Sequence, residues 1–393
     1  MGICSLGPTF LIRVKTCDYW LPVKNQQRGV GHCRLGISRP TLVTMLDRTK
    51  ALHDQMVRLG QNLGFVASRE VSNSVLSLQL DEAYQPRVDL MWSQELTQGQ
   101  SSALGDLLRV KPEKLSHLPL VGIEVEGTAP STKTLEADYA NIAALGTKYG
   151  LLVVSEEGER GIYGRAARII RTLRRNFGHH AIVPMEGAWL EQLLRVNCDS
   201  SLHKLEGNTK KKGSGGELGW SPKTREYLAQ VGLEAGFTVV HDYTPPLLGD
   251  HFEWIQKSMP GANGHMTAPA SGRSRSLKKA TEYFTGSKLD VAWLLPLPRG
   301  LAQLLTALGE QDLNLVTHGL LIPGSHDHVV VAGFELESSS GKHAAGGLLN
   351  LSAYSVIGFV VSNTEQNRKS MVETLKRYQP TLGLRNVHVI QIR

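Results

Sequence analysis

The sequence of 393 residues is poor in the features that mark secreted, membrane-spanning or zinc-binding proteins. Its only cysteines are Cys4, Cys17, Cys33 and Cys198, and no two form a C-x-x-C pair, which argues against a zinc ribbon and a disulfide framework. No apolar run reaches the roughly 18 residues that a membrane helix needs. Because a signal-peptide pattern is also lacking, we expect a cytoplasmic protein with no membrane association.

The chain also lacks complete nucleotide-binding loops. Gly29-Val-Gly31 has no third glycine and no strand–helix context, so a dinucleotide fold is not indicated. Gly341-Lys342-His343 lacks both the upstream glycine and the Ser or Thr of a P-loop. These absences argue against dehydrogenases and P-loop NTPases.

An excess of basic residues is the first positive indication of function. The formal net charge is +7, and the isoelectric point is about 9.2. Lys and Arg neutralise phosphates and dominate binding to nucleic acids. Double-stranded DNA is therefore the expected partner, although many basic proteins bind no nucleic acid.

The most informative feature of the sequence is an internal repeat of short segments that recur in the same order. The repeated segments bring acidic residues into register, with Asp89 matching Asp290 and Glu124 matching Glu335. The matched pairs are Leu59–Glu70 with Val231–Asp242, Arg87–Trp92 with Lys288–Trp293, Val121–Glu126 with Ala332–Glu337, Gly150–Ser155 with Gly358–Ser362, and Ala181–Glu186 with Val387–Ile392. We infer that the chain arose by duplication.

Each repeat predicts the order helix, strand, strand, strand, helix, strand, helix, strand. Such alternation indicates an α/β fold with a central mixed sheet flanked by helices, present twice in tandem. Gly-rich, basic stretches suggest the boundaries between the parts. We predict an N-terminal extension at 1–40, domains at 41–200 and 220–393, a flexible linker at 201–219, and an insertion loop at about 258–280.

Closely spaced carboxylates recur in the third repeated segment. Strand alternation places Glu124 and Glu126 on one face and Ile123 with Val125 on the other. Two like charges on one face repel each other, and a hard cation such as Mg²⁺ would relieve that repulsion. An exposed sheet edge would also tolerate one such pair. The recurrence of the pattern at Glu335 and Glu337, again after an Asp flanked by aliphatic residues, favours a metal site.

This pattern resembles the PD-(D/E)xK nuclease superfamily, which includes many type II restriction endonucleases. The resemblance covers roughly residues 42–186 and 223–392. It implies a restriction-endonuclease-like fold in each half and Mg²⁺ as the cofactor, for which Mn²⁺ can substitute. It also implies that the main-chain carbonyl groups of Val125 and Leu336 are ligands. The implied side-chain ligands are Asp89, Glu124, Asp290 and Glu335, with Glu70 and Asp242 as additional upstream acids.

The sequence departs from the family pattern where the family usually has Lys. Glu126 and Glu337 occupy these positions, which leaves the source of the positive charge open. Lys133 and Lys342 follow a few residues later, and we expect either to reach back into the site as a catalytic residue. Undiminished cleavage after both are replaced by Met would overturn this expectation.

The resemblance implies a Mg²⁺-dependent DNA endonuclease. Glu126 and Glu337 would each orient the attacking water or hold a second ion. Because the site is duplicated, we expect each half to cut one strand, so that a monomer suffices. Asp89→Ala or Asp290→Ala would then convert double-strand cleavage into nicking. Two alternatives stay open. One is a DNA-binding protein with one or both sites inactive, and the other is a nuclease for structured DNA or for RNA.

Three basic segments are candidates for contacts with DNA. A helix at Ile162–Phe177 has an apolar face and an arginine-rich remainder, which indicates either a solvated surface or a DNA-backbone contact. The linker and the insertion loop are either surface loops or phosphate-tracking arms. The candidate residues are Arg165, Arg168, Arg171, Arg175, Lys210, Lys211, Lys212, Arg273 and Arg275.

Overall fold

The structure is a computed structural model that describes most of the chain beyond residue 41. The described residues are 42–72, 86–126, 131–154, 162–177, 181–187, 199–208, 219–244, 288–301, 304, 327–337, 344–382 and 386–392. They form helices and strands in two successive halves. The predicted extension at 1–40 and the predicted insertion loop lie outside the described residues.

The first half contains a five-stranded mixed sheet in the order β1-β2-β3-β4-β5. Strands β1, β2 and β3 pair antiparallel, whereas β3, β4 and β5 pair parallel. Its elements are α1 (Leu42–Asn62), β1 (Val66–Ser72), β2 (Arg87–Glu95), α2 (Gln98–Leu108), a 3-10 helix (Pro112–Leu115), β3 (His117–Glu126), α3 (Thr132–Ala144), β4 (Tyr149–Val154), α4 (Ile162–Phe177) and β5 (Ala181–Glu186).

The second half repeats this topology with its strands in the order β6-β7-β8-β9-β10. Strands β6, β7 and β8 pair antiparallel, and β8, β9 and β10 pair parallel. Its elements are α5 (Trp220–Glu234), β6 (Thr238–Tyr243), β7 (Leu289–Pro296), β8 (His328–Glu337), α6 (Ala344–Tyr354), β9 (Ser355–Ser362), α7 (Glu365–Leu382) and β10 (Val387–Gln391). The prediction of two mixed sheets flanked by helices is therefore confirmed.

Irregularities of the backbone also recur at matching positions. Glu70 in β1 and Asp242 in β6 have φ angles of 49° and 48°, a left-handed conformation that is uncommon for residues other than glycine. The register between β2 and β3 shifts directly after Trp92, and that between β7 and β8 shifts directly after Trp293. Shared bulges of this kind are characteristic of related folds, which supports a duplication.

A buried tryptophan joins the first helix of each half to its sheet. The Trp92 indole donates a hydrogen bond to the Met56 carbonyl oxygen (3.2 Å), and Trp293 donates one to Leu228 (3.0 Å). Phe65 and Phe237 stack on these indoles. Since the packing recurs in detail, each helix is fixed at the same position relative to its sheet.

A close approach at the tryptophan explains the glycine in the repeated helix motif. A Cβ atom at Gly60 would lie 2.4 Å from Trp92 Nε1, and one at Gly232 would lie 2.4 Å from Trp293 Nε1. We expect Gly60→Ala to lower the free energy of unfolding by about 1–3 kcal/mol, because overpacking displaces the indole. Denaturant unfolding would measure the change. Gly164→Ala, at an open position in α4, is the control and should not destabilise the protein.

Amphipathic packing accounts for α4 as the sequence predicts. Ala166 and Ile170 are buried in a cluster that also includes α3 residues, while Arg165 and Arg168 are exposed.

Helix α2 was not predicted from the sequence. It begins with a capping box in which Thr97 and Gln100 bond each other's main-chain N–H groups, and this T-x-x-Q pattern is recognisable in sequence.

The two halves share a hydrophobic core. One cluster contains both Trp92 and Trp293 together with apolar residues from both sheets. Side-chain amides also cross between the halves, as where Gln100 donates to the Gly236 carbonyl oxygen (3.1 Å). Of the predicted linker, residues 201–208 contact the second half through bridges to Pro298 and Val240. The halves are thus packed together.

Candidate metal centre

The first half brings Asp89 and Glu124 together on neighbouring strands. The Val125 N–H donates to Asp89 Oδ2 (2.9 Å), and the Asp89 N–H donates to Glu124 Oε2 (3.3 Å). Asn141 on α3 donates its side-chain amide to Glu124 Oε1 (3.3 Å). These bonds connect two carboxylates at the end of the central strand β3.

The second half repeats this arrangement. The Leu336 N–H donates to Asp290 Oδ2 (2.7 Å), as Val125 does to Asp89. Asn350 on α6, the counterpart of Asn141, lies close enough to Glu335 to lower the pKa of its carboxyl group. The structure therefore places both predicted Asp–Glu pairs as the repeat implies.

Two further acids complete what we call the first-half cluster: Asp89, Glu124, Glu126 and Asp138. Asp138 on α3 is 92% buried, since its relative exposure is 8%. Its carboxyl group lies beside that of Glu126, and its Oδ2 atom has no hydrogen-bond partner among the described residues. A buried carboxylate oxygen without a partner is costly, and a cation at the cluster would provide one.

Burial and mutual repulsion raise the pKa values of Glu124 and Asp138 in the first-half cluster. Desolvation, with the nearby charges of Asp89 and Asp138, raises the pKa of Glu124 to about 9. Desolvation and Glu126 raise the pKa of Asp138 to about 8. Burial also acts on Asp89, but the neighbouring His53 and the Val125 N–H outweigh it and hold the pKa of Asp89 below its usual value.

The first helix of each half presents a side chain to the aspartate of its cluster, and this residue differs between the two halves. His53 Nε2 on α1 lies 3.6 Å from Asp89 Oδ2. Arg225 on α5 forms a salt bridge with Asp290 and, through Nη1, a second with Asp242 Oδ1 (3.2 Å). His53 precedes Gly60 by seven residues, as Arg225 precedes Gly232, so the two side chains occupy equivalent positions.

Asp138, the acid that α3 contributes to the first-half cluster, has no acidic counterpart in the second half. Asp138 lies three residues before Asn141, and the residue three before Asn350 is Gly347. Only Asp290, Glu335 and Glu337 form the second-half cluster. There, desolvation and the charges of Asp290 and Glu337 raise the pKa of Glu335 to about 8.

The predicted upstream acids are held by arginines. The strand register places Glu70 opposite Asp89, between the pairs Arg69–Leu90 and Val71–Val88. The exposed Glu70 carboxylate forms a salt bridge with Arg87, whose Nη2 lies 2.5 Å from Oε2. Asp242 pairs with Arg225 as described. Their roles as additional ligands stay predictions.

The predicted basic residues are only partly described. Lys133 is exposed in the first turn of α3, and Arg165 and Arg168 are exposed on α4. The side chains outside the described residues are Arg171, Arg175, Lys210, Lys211, Lys212, Arg273, Arg275 and Lys342. Their predicted contacts with DNA, and the predicted roles of Lys133 and Lys342, stay predictions.

The chemistry of the donors suits a hard divalent cation at the first-half cluster. In the described part of the chain, no group of three or more His, Cys, Asp or Glu side chains is arranged to hold a metal ion as it stands. Mg²⁺ keeps several waters, however, and commonly binds through one or two protein carboxylates together with substrate phosphates. The Asp89–Glu124 pair, the Val125 carbonyl and the unpartnered Asp138 oxygen fit that requirement.

Comparison with known proteins adds no relative: no protein-family model matches the chain, and no curated protein and no solved structure matches it. Among the described residues, no helix is long and apolar enough to cross a membrane.

The raised pKa of Glu124 gives a prediction for the protein in EDTA. Folded Glu124 binds a proton up to about pH 9, whereas the unfolded side chain releases it near its ordinary pKa of about 4.3. Stability should therefore fall as pH rises between these values, by up to about 1.4 kcal/mol per pH unit. Denaturant unfolding at pH 6, 7 and 8 tests this. Glu124→Gln should reduce the slope without abolishing it, because the raised pKa values of Asp138 and Glu335 add contributions of the same sign. An unchanged slope would contradict the assignment.

Proposed function

We propose that the protein is a Mg²⁺-dependent DNA endonuclease of the kind that the sequence resemblance implies. The observation that carries this proposal is the Asp–Glu pair that is present in both halves. In each pair, the aspartate carboxylate accepts a hydrogen bond from the main-chain N–H of the residue that follows the glutamate on the neighbouring strand. The net charge of +7 supports a polyanionic substrate. Restriction-like cleavage of both strands at a specific site is the finer form of this proposal.

In the proposed site, Asp89, Glu124 and the Val125 carbonyl would hold the cation, with Mn²⁺ able to replace Mg²⁺. A bound divalent cation supplies an activated water, charge relief on the phosphate and a stabilised leaving oxygen. Asn141 orients Glu124 through its hydrogen bond to Oε1. Glu126, beside Asp138, would orient the attacking water.

Supercoiled plasmid incubated with the protein in Mg²⁺ or in EDTA tests the proposal. We expect nicked or linear DNA with Mg²⁺ and intact plasmid with EDTA. Discrete fragments would indicate a site-specific enzyme, and a smear would indicate a nonspecific one. A gel shift without cleavage in Mg²⁺ or Mn²⁺ would overturn the proposed activity in favour of a DNA-binding protein.

A further inference from the structure

The two clusters have the same strands and the same backbone hydrogen bonds, but they carry different charges. Four carboxyl groups meet in the first-half cluster: Asp89, Glu124, Glu126 and Asp138. The nearby imidazole of His53 contributes a full positive charge only when protonated. In the second-half cluster an always-charged guanidinium replaces that imidazole.

Arg225 is placed as a resident cation of the second half. It contacts Asp290, which is the counterpart of the proposed ligand Asp89, and also Asp242, the counterpart of Glu70. Asp290 is thus bonded on Oδ1 by the guanidinium and on Oδ2 by the Leu336 N–H. The guanidinium charge beside this carboxylate would repel a divalent cation and would compete with it for Asp290.

The α6 position that faces Glu335 also differs from its counterpart in the first half. A Cβ atom at Gly347 would lie 3.4 Å from Glu335 Cγ, so this residue is next to the glutamate. The first half has the buried Asp138 at the equivalent position. Both halves hold one buried carboxyl oxygen without a hydrogen-bond partner in the described structure, Asp138 Oδ2 and Glu335 Oε1, so the difference lies in the additional acid and in Arg225. The second half therefore both gains a cation and loses a carboxylate.

We propose that the chain binds one divalent cation, at the first-half cluster, and that Arg225 neutralises the second-half cluster in its place. This inference rests on the proposed function and refines it. A single chain would then hydrolyse one strand per binding event, and double-strand cleavage would need a second chain or a second binding event. The second half would serve to complete the shared core.

Calorimetric titration of the full chain with Mn²⁺ alone tests the stoichiometry without any activity assay. We expect one binding event in the wild-type protein, its loss in Glu124→Gln, and its retention in the matched variant Glu335→Gln. Circular dichroism would confirm that each variant is folded. Two equivalent events in the wild type, or loss of binding in Glu335→Gln alone, would overturn the inference while leaving a metal-dependent nuclease intact.

Restoring the first-half residues in the second half is the converse experiment. Arg225→His with Gly347→Asp reproduces the His53 and Asp138 positions, and we expect a second Mn²⁺-binding event. Arg225→Gln alone, the more conservative variant, should give a weaker second event. Failure of both folded variants to bind a second ion would overturn the role given to Arg225. No binding to the wild type, even when duplex DNA is present to supply phosphate ligands, would instead remove the metal site on which the proposed function depends.

Discussion

Replacing Asp89 by Asn is expected to lower the rate of Mg²⁺-dependent plasmid cleavage by at least about 10²- to 10³-fold, since a proposed metal ligand and its charge are lost. The amide oxygen of Asn can still accept the Val125 N–H, which now bonds Asp89 Oδ2. The fold should therefore survive. The measurement is the initial rate of conversion of supercoiled plasmid.

Two comparison variants make the Asp89→Asn result specific. Asp106→Asn removes an exposed carboxylate from α2, outside both clusters, and should leave the cleavage rate within about twofold. Asp290→Asn distinguishes a protein with two equivalent metal sites from a protein with one metal site. With two equivalent sites it should convert double-strand cleavage into nicking, whereas with one cation it should slow cleavage far less than Asp89→Asn. Equal rates for Asp89→Asn and the wild type would remove Asp89 from the site.

Much of the architecture could be predicted from the sequence because it depends on periodic patterns. Ile123 and Val125 alternate with Glu124 and Glu126, and the two aliphatic side chains are buried in the core as strand alternation requires. Because the two halves contain the same repeated segments, a secondary-structure prediction made for one half could be applied to the other. The position of β3 at the centre of its sheet was not predictable, because strand order depends on long-range pairing that local patterns do not encode.

The residues that distinguish the two clusters were missed for a related reason. His53 and Arg225 lie on helices 36 and 65 residues before the aspartates they face, where no local pattern marks them. A comparison of the repeats could have found them, because each lies seven residues before the repeated glycine. Asp138 was visible only as an acid near the motif, and its burial against Glu126 needed the three-dimensional packing.

Replacing Arg225 by Ala is expected to lower the free energy of unfolding by roughly 1–3 kcal/mol, because it leaves Asp290 and Asp242 without their cation. The range lies below that of a fully buried pair, since the Arg225 side chain is 32% exposed. His53→Ala is the matched variant in the first half. Its effect should be smaller, because His53 makes a single contact with Asp89, at 3.6 Å, whereas Arg225 bonds two carboxylates. Denaturant unfolding in EDTA would measure both.

Added Mn²⁺ should then compensate for the missing guanidinium. A ligand at 100 times its dissociation constant stabilises the folded state by about 2.7 kcal/mol. The Arg225→Ala protein has the second-half carboxylates open in addition to the first-half cluster, so Mn²⁺ should stabilise it by a larger increment than the wild type. Equal increments for the two proteins would mean that the second-half cluster lacks the ligands for a cation even when Arg225 is absent. In that case Asp290 and Glu335 would be held for the packing of β7 against β8, and the resemblance between the clusters would be a remnant of the duplication.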